Sequence, residues 1–257
     1  MFNQEWSDLK MSNIVLSVTI LLTIVLMLIF SAGCGEATTV LNTSGRITMT
    51  SRYCSTNSFG KTAPTNAATG TMRIDSIRIT RARLILREIT YKTRSDSSKF
   101  RAEPIVLELN LSSEIQNISM SEIQFGSYDK IEFDVHRIET NDINLLPRSE
   151  RGQFQNFAAG ERYSIIISGK IYIGGQSIVF TFRSRVSAKQ KIVLLTKIDI
   201  TESSPEVNAT MLINSGGWFR SSLGILLDPF DVLNESVISD NVFASIIVFE
   251  DNSSDAN

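Results

Sequence analysis

Cysteine and histidine are nearly missing from this chain of 257 residues: there are two cysteines, Cys34 and Cys54, and one histidine, His136. That excludes a disulfide scaffold and a Cys/His zinc site, and no metal or cofactor is expected. Charge of one sign is also missing. Lys and Arg number 25 against 27 Asp and Glu, a formal net charge of −2, so nothing in the overall charge points to nucleic acid. No G-x-S-x-G turn is present to carry a nucleophilic serine. Beyond the first third of a hundred residues no segment shows a sustained helical period, so helices that cross over between strands are not expected.

Apolar residues, by contrast, make up 42% of the chain, enough for a sizeable core. One uncharged run stands out, IVLSVTILLTIVLMLIF from Ile14 to Phe30, close to the shortest helix that crosses a bilayer. It ends in Ser31-Ala32-Gly33-Cys34, followed by small polar residues. Three small residues before a cysteine fit a peptidase cleft, and the Cys34 thiol would accept a diacylglycerol before cleavage. The segment is similar to a bacterial lipoprotein signal, with Ser31 standing where that pattern usually has Leu. Lys10, Glu5 and Asp8 make the upstream positive region weak. A retained N-terminal anchor and a plain cleaved signal are the alternatives. The lipoprotein and the retained anchor both put the globular part outside the cytoplasm, tethered to the membrane by lipid or helix, with the bacterial outer membrane favoured. If Cys34 is acylated, Cys54 has no partner in the chain and reads as a small buried apolar residue.

Residues 1–33 thus read as signal or anchor and 34–45 as a tether. Residues 46–250 read as the folded part, either one unit or two sub-sandwiches at about 46–146 and 160–250, and 251–257 as a disordered tail. Within the folded part the period is two. Ile77 and Ile79 alternate with charged residues, and Ala82, Leu84 and Leu86 alternate in the opposite phase, which predicts a β-bulge near Thr80-Arg81. Ile105–Leu111 and Ile131–Val135 repeat the alternation. Gly174-Gly175 between two β-rich runs predicts a tight hairpin. Further strands are expected at Ile192–Ile200, Val207–Ile213 and Val242–Phe249, and 112–124 reads as a short helix or turn. The expected fold is all-β, an antiparallel β-sandwich of Ig-like or transthyretin-like type behind an N-terminal apolar helix. Tyr128 after Gly126 suits a tyrosine corner, in which the ring enters the core and the hydroxyl returns to a backbone group.

The runs SIRITRARLILREITY, PIVLELNL and FGSYDKIEFDV, with GGWFRSSLGILLDP and NVFASIIVFEDNSSDAN, resemble an uncharacterised family of bacterial lipoproteins with a β-sandwich domain. The resemblance spans roughly 73–255. It implies a cell-envelope lipoprotein and no particular reaction.

Several residues are candidates for chemistry. Arg81, Arg83 and Arg87, with Arg78 nearby, would line one strand face; such a stripe meets anionic polysaccharide or lipid phosphate, or merely keeps an edge solvated. His136 beside Asp134 could move protons in a hydrolase, or sit solvated on a strand. Trp218-Phe219 is either a sugar platform or a core plug. Asp251–Asp255 spaces oxygen side chains as a calcium loop does, but Ala256 replaces the needed glycine. The triplets at Asn110, Asn117, Asn208 and Asn234 would matter only in a glycosylating secretory pathway. The expected role is a binding or structural module without catalysis, its partner an envelope polysaccharide or another envelope protein. A structural adhesin or pilus-like subunit that pairs through an edge strand is the main alternative.

Overall fold

The computed structural model describes residues 43–55, 74–93, 97–101 and 103–251, with backbone alone at 97–101 and 145. All belong to the compact unit that begins at Asn42. The leader, Cys34, most of the tether and the tail beyond Asp251 lie outside the described residues.

Alternation of apolar and polar residues produces two sheets. The smaller has the order β11-β10-β1-β5, from β1 (Ser44–Cys54), β5 (Gln116–Gln124), β10 (Glu206–Asn214) and β11 (Ile246–Glu250). The larger has the order β8-β7-β2-β6-β9, from β2 (Ser76–Lys92), β6 (Gly126–Val135), β7 (Ile165–Ile173), β8 (Gln176–Ser184) and β9 (Ala188–Ile200). Two short strands, β3 (Ser97–Arg101) and β4 (Ile105–Glu108), also pair with β2. Ile47, Met49, Ala209 and Met211 from one sheet and Leu84, Leu86, Ile131 and Phe133 from the other share one core. The fold is therefore mostly β and sandwich-like. One pair departs from the antiparallel expectation: β1 runs parallel to β10, from Arg46↔Glu206 to Cys54↔Asn214. Strands so far apart in sequence are not tied by a hairpin, so nothing local forces them to be antiparallel.

Three devices read from the sequence are in place. The β2–β7 register passes from Ile79↔Gly169 to Arg81↔Ser168, leaving Thr80 as the bulge. Gly174 and Gly175 make the β7–β8 turn with φ of 55° and 80°, which the missing Cβ permits. Tyr128 is buried and its hydroxyl donates to the Gln124 carbonyl at 2.7 Å.

Among the described residues three helices depart from the expectation: α1 (Thr140–Leu145), α2 (Arg148–Ala158) and α3 (Glu235–Ala244). They are short, and each buries so few apolar residues, such as Phe154 and Phe157 on α2, that no period could accumulate. The segment expected to be one strand, Val242–Phe249, is the end of α3 followed by β11, and 116–124 is strand rather than helix.

The first two helices have a place dictated by β2. The Ile85 N–H donates to Ser164 O, before β7, and the Ile85 carbonyl accepts from His136 N, after β6. Both groups of one strand residue point to the same side. So β2 hands over from β7 to β6 at Ile85, and the two partners fork apart. The chain between them, α1 and α2, fills the fork. Ile85, Ile166, Ile138, Leu146, Phe154 and Phe157 form a second, smaller core there.

At another end, Phe219 packs edge-on against Phe180 and Phe182 of β8, with centroids 5.4 and 6.0 Å apart. Trp218 is fully buried beside it, its indole N–H donating to Ser245 Oγ at 2.9 Å. The Asn241 amide fixes the same segment through the carbonyls of Trp218 and Arg220. The pair is thus a core plug held down by α3.

Candidate functional site

The bulge at Thr80 sets the arginine stripe. Past it, Arg81, Arg83, Ile85 and Arg87 alternate with the core residues Ala82, Leu84 and Leu86, so three of the four candidate arginines share the outer face of β2. Arg78 lies before the bulge, exposed, opposite Lys170. The three then differ in environment. Arg81 is exposed and grips Glu108 of β4 with a fork, Nε to Oε1 at 2.7 Å and Nη2 to Oε2 at 2.8 Å. This bond holds the Glu108 carboxyl below the usual carboxylate range and raises the Arg81 guanidinium. The pair borders an open depression of about 510 Å³, also lined by Thr80, Asn110, Leu111 and Gln116. Arg83 is buried, 7% exposed, with its guanidinium 5.2 Å from the centre of the Phe157 ring. Burial, then the nearby Arg81, lowers its pKa. Arg87 approaches Asp142 of α1 at 3.6 Å. The same carboxylate accepts from the Glu139 N–H at the start of α1. Two of the three arginines are therefore covered by, or tied to, the helices that fill the fork.

A second cationic group lies along the same sheet, where β2, β6 and β9 meet. The register sets Thr90 and Lys191 on either side of Glu132. Glu132 is buried, with Lys92 at 2.9 Å, Lys189 at 3.5 Å and Lys191 at 4.0 Å. One carboxylate thus gathers three ammonium groups, and exposed Lys130 lies two positions earlier on β6, in register with Lys92. The hydrogen bond from Lys92, followed by the charges of Lys92, Lys191 and Lys189, depresses the Glu132 pKa. Sequence reading missed this group. The alternations Lys189-Gln190-Lys191 and Lys130-Ile131-Glu132 were visible, but the register that joins them was not.

A group whose folded pKa is depressed contributes stability that is present above its unfolded pKa and lost as pH falls through the folded value. Glu132→Gln is therefore expected to lower the urea midpoint at about pH 7 and to lower it much less at a pH below the depressed folded value, where the parent carboxylate itself takes up a proton. An equal loss at both pH values would mean that the carboxylate charge is not what matters.

His136 stands just after β6, with Nε2 at 3.4 Å from Glu139 Oε1, three residues on. This is a local contact at the end of a strand and includes no nucleophile. Cys54, the described cysteine, is half-buried and free. The Asp251 carboxylate accepts from Thr210 Oγ1 at 3.2 Å, and Thr210 also bonds Thr50 at 2.8 Å, which ties the start of the acidic tail to the small sheet. Among the described residues no three His, Cys, Asp or Glu are grouped to hold a metal. None of the described helices is long and apolar enough to cross a membrane. The chain matches no family model, no curated protein sequence and no solved structure.

Proposed function

We propose that the chain is a membrane-anchored module of the bacterial cell envelope, held by an acylated Cys34 and serving binding or structure rather than catalysis. The observation that carries this reading is the junction itself: the apolar run to Phe30, then Ser31-Ala32-Gly33-Cys34, then a short polar stretch before the compact unit that opens at Asn42. An Ig-like form of the sandwich is supported by the Tyr128 hydroxyl returning to the Gln124 carbonyl. An anionic ligand, such as an envelope polysaccharide, is supported by the lysines around Glu132 and by Arg81 on the rim of the depression. A hydrolase is disfavoured, because His136 meets only a neighbouring glutamate in the contact it makes.

The test is the intact mass of the protein extracted from bacterial membranes. The expected species begins at Cys34 and carries diacylglycerol, and Cys34→Ser is expected to accumulate as the full-length, unlipidated chain. A chain beginning at Met1 with an unmodified Cys34 in the parent would overturn the lipid anchor.

A further inference from the structure

Among the described residues four strands end the two sheet paths, β5 and β11 in the smaller sheet and β8 and β9 in the larger, while the short β3 and β4, of five and four residues, border β2. A terminal strand leaves alternate backbone N–H and C=O groups without a ladder partner, a template for another chain unless something blunts it. Three of the four are blunted. β9 carries Lys189, Lys191 and Lys197, loses register between Tyr128 and Lys130, and lies against β11. β11 is five residues long. β5 carries Glu122, breaks register opposite Met49/Thr50, and approaches β3.

β8 has none of these devices. Its nine residues, QSIVFTFRS, include no proline and one charge, Arg183. Its ladder to β7 runs from Ile165↔Ser184 to Ile173↔Gln176 without a shift. Val179 is 69% and Ile178 44% exposed, with Ser177, Thr181 and Arg183 exposed beside them. Phe180 and Phe182 point inward onto Phe219, and α3 reaches the strand at Ser184 through Ser239 Oγ.

We propose that β8 pairs with β8 of a second copy of this chain, antiparallel, about a two-fold axis midway between the two copies of Phe180. The strand's own sequence selects this occupant. An axis perpendicular to the sheet must pass between two opposed copies of one residue if both copies are to keep their core faces on one side. The register centred on Phe180 is the one that pairs all nine residues. On the outer face it sets Val179 opposite Thr181, a β-branched pair suited to cross-strand packing, and it does so twice. It sets Arg183 opposite Ser177, so the single charge never meets its copy. The larger sheet then continues across the axis. The pairing stands on β8 and is independent of the leader and of Cys34.

Edge pairing buries a small interface of the weak class, so the full-length chain in mild detergent is studied at roughly 100 μM. Light scattering is expected to give a protein mass about twice 28.6 kDa for the parent and 28.6 kDa for Val179→Lys, a substitution at an exposed site. Opposed Cα atoms of an antiparallel pair stand within disulfide range. The double variant Val179→Cys/Thr181→Cys is therefore expected to give at least about five times more disulfide-linked dimer on mild oxidation than either single variant. A monomeric parent, a Val179→Lys chain that stays dimeric, or equal cross-linking by the single variants would each overturn the proposal.

Discussion

Trp218→Ala is expected to destabilise the protein by about 3–5 kcal/mol, a large share of the roughly 5–15 kcal/mol that holds a domain folded. The indole is fully buried and belongs to the main core. It is also fixed from outside itself: Asn241 holds the Trp218 carbonyl, and the next residue, Phe219, is wedged against Phe180 and Phe182. Neighbours so constrained cannot collapse into the space left behind, which is the condition for a cost at the upper end of the range. Trp218→Phe separates packing from hydrogen bonding. Ser245 Oγ loses the indole donor at 2.9 Å but still donates to Val242 O at 2.6 Å, so no buried group is orphaned and the loss should be about 1 kcal/mol beyond the change in ring size. Urea unfolding of the full-length chain, followed by far-ultraviolet circular dichroism, measures both. A loss under about 1 kcal/mol for the alanine variant would mean that the 215–245 segment unfolds apart from the sandwich.

What the sequence disclosed, and what it withheld, divides by range. The bulge at Thr80, the Gly174-Gly175 turn and the Tyr128 corner were legible because each is decided within a few residues: a phase change, a pair free to take positive φ, a ring beside a glycine. The parallel β1–β10 pair was not legible, since it joins residues about 160 apart. The fork at Ile85 was withheld for a related reason. In sequence, Arg81, Arg83 and Arg87 read as one strand face that meets an anionic ligand or stays solvated. Only the divergence of β6 and β7 makes room for α1 and α2, and only those helices turn that face into a second core. The candidate site shows the same division. The arginine stripe was found because it lies on one strand, whereas the lysines around Glu132 come from β2 and β9 and meet only through the sheet register.

Phe157→Ala and Arg83→Met should move stability very differently, although the two side chains are in contact. Phe157 is fully buried between Ile85, Ile166 and the rest of the fork core, so its truncation is expected to cost about 3–5 kcal/mol. Arg83 is buried too, but on worse terms. Its Nε has no hydrogen-bond partner, Arg81 repels it, and the carboxylate it faces, Glu108, is already gripped by both arms of Arg81. A charge taken out of water and only partly compensated is a poor stabiliser, and an apolar chain of similar length often replaces it without loss. Arg83→Met keeps the packing on Phe157 and leaves Glu108 paired, so it should be neutral within about 1 kcal/mol or stabilising. The double variant measures the coupling: the ring-to-guanidinium attraction predicts a non-additive term of about 0.5–2 kcal/mol. A loss of more than about 2 kcal/mol from Arg83→Met would show that the charge is needed for the fold. The neutral outcome has a further use. It yields a folded chain without the buried arginine, on which binding to an anionic polysaccharide can be compared directly with Arg81→Gln at the exposed rim. If the rim is what a ligand meets, the exposed substitution weakens binding and the buried one does not.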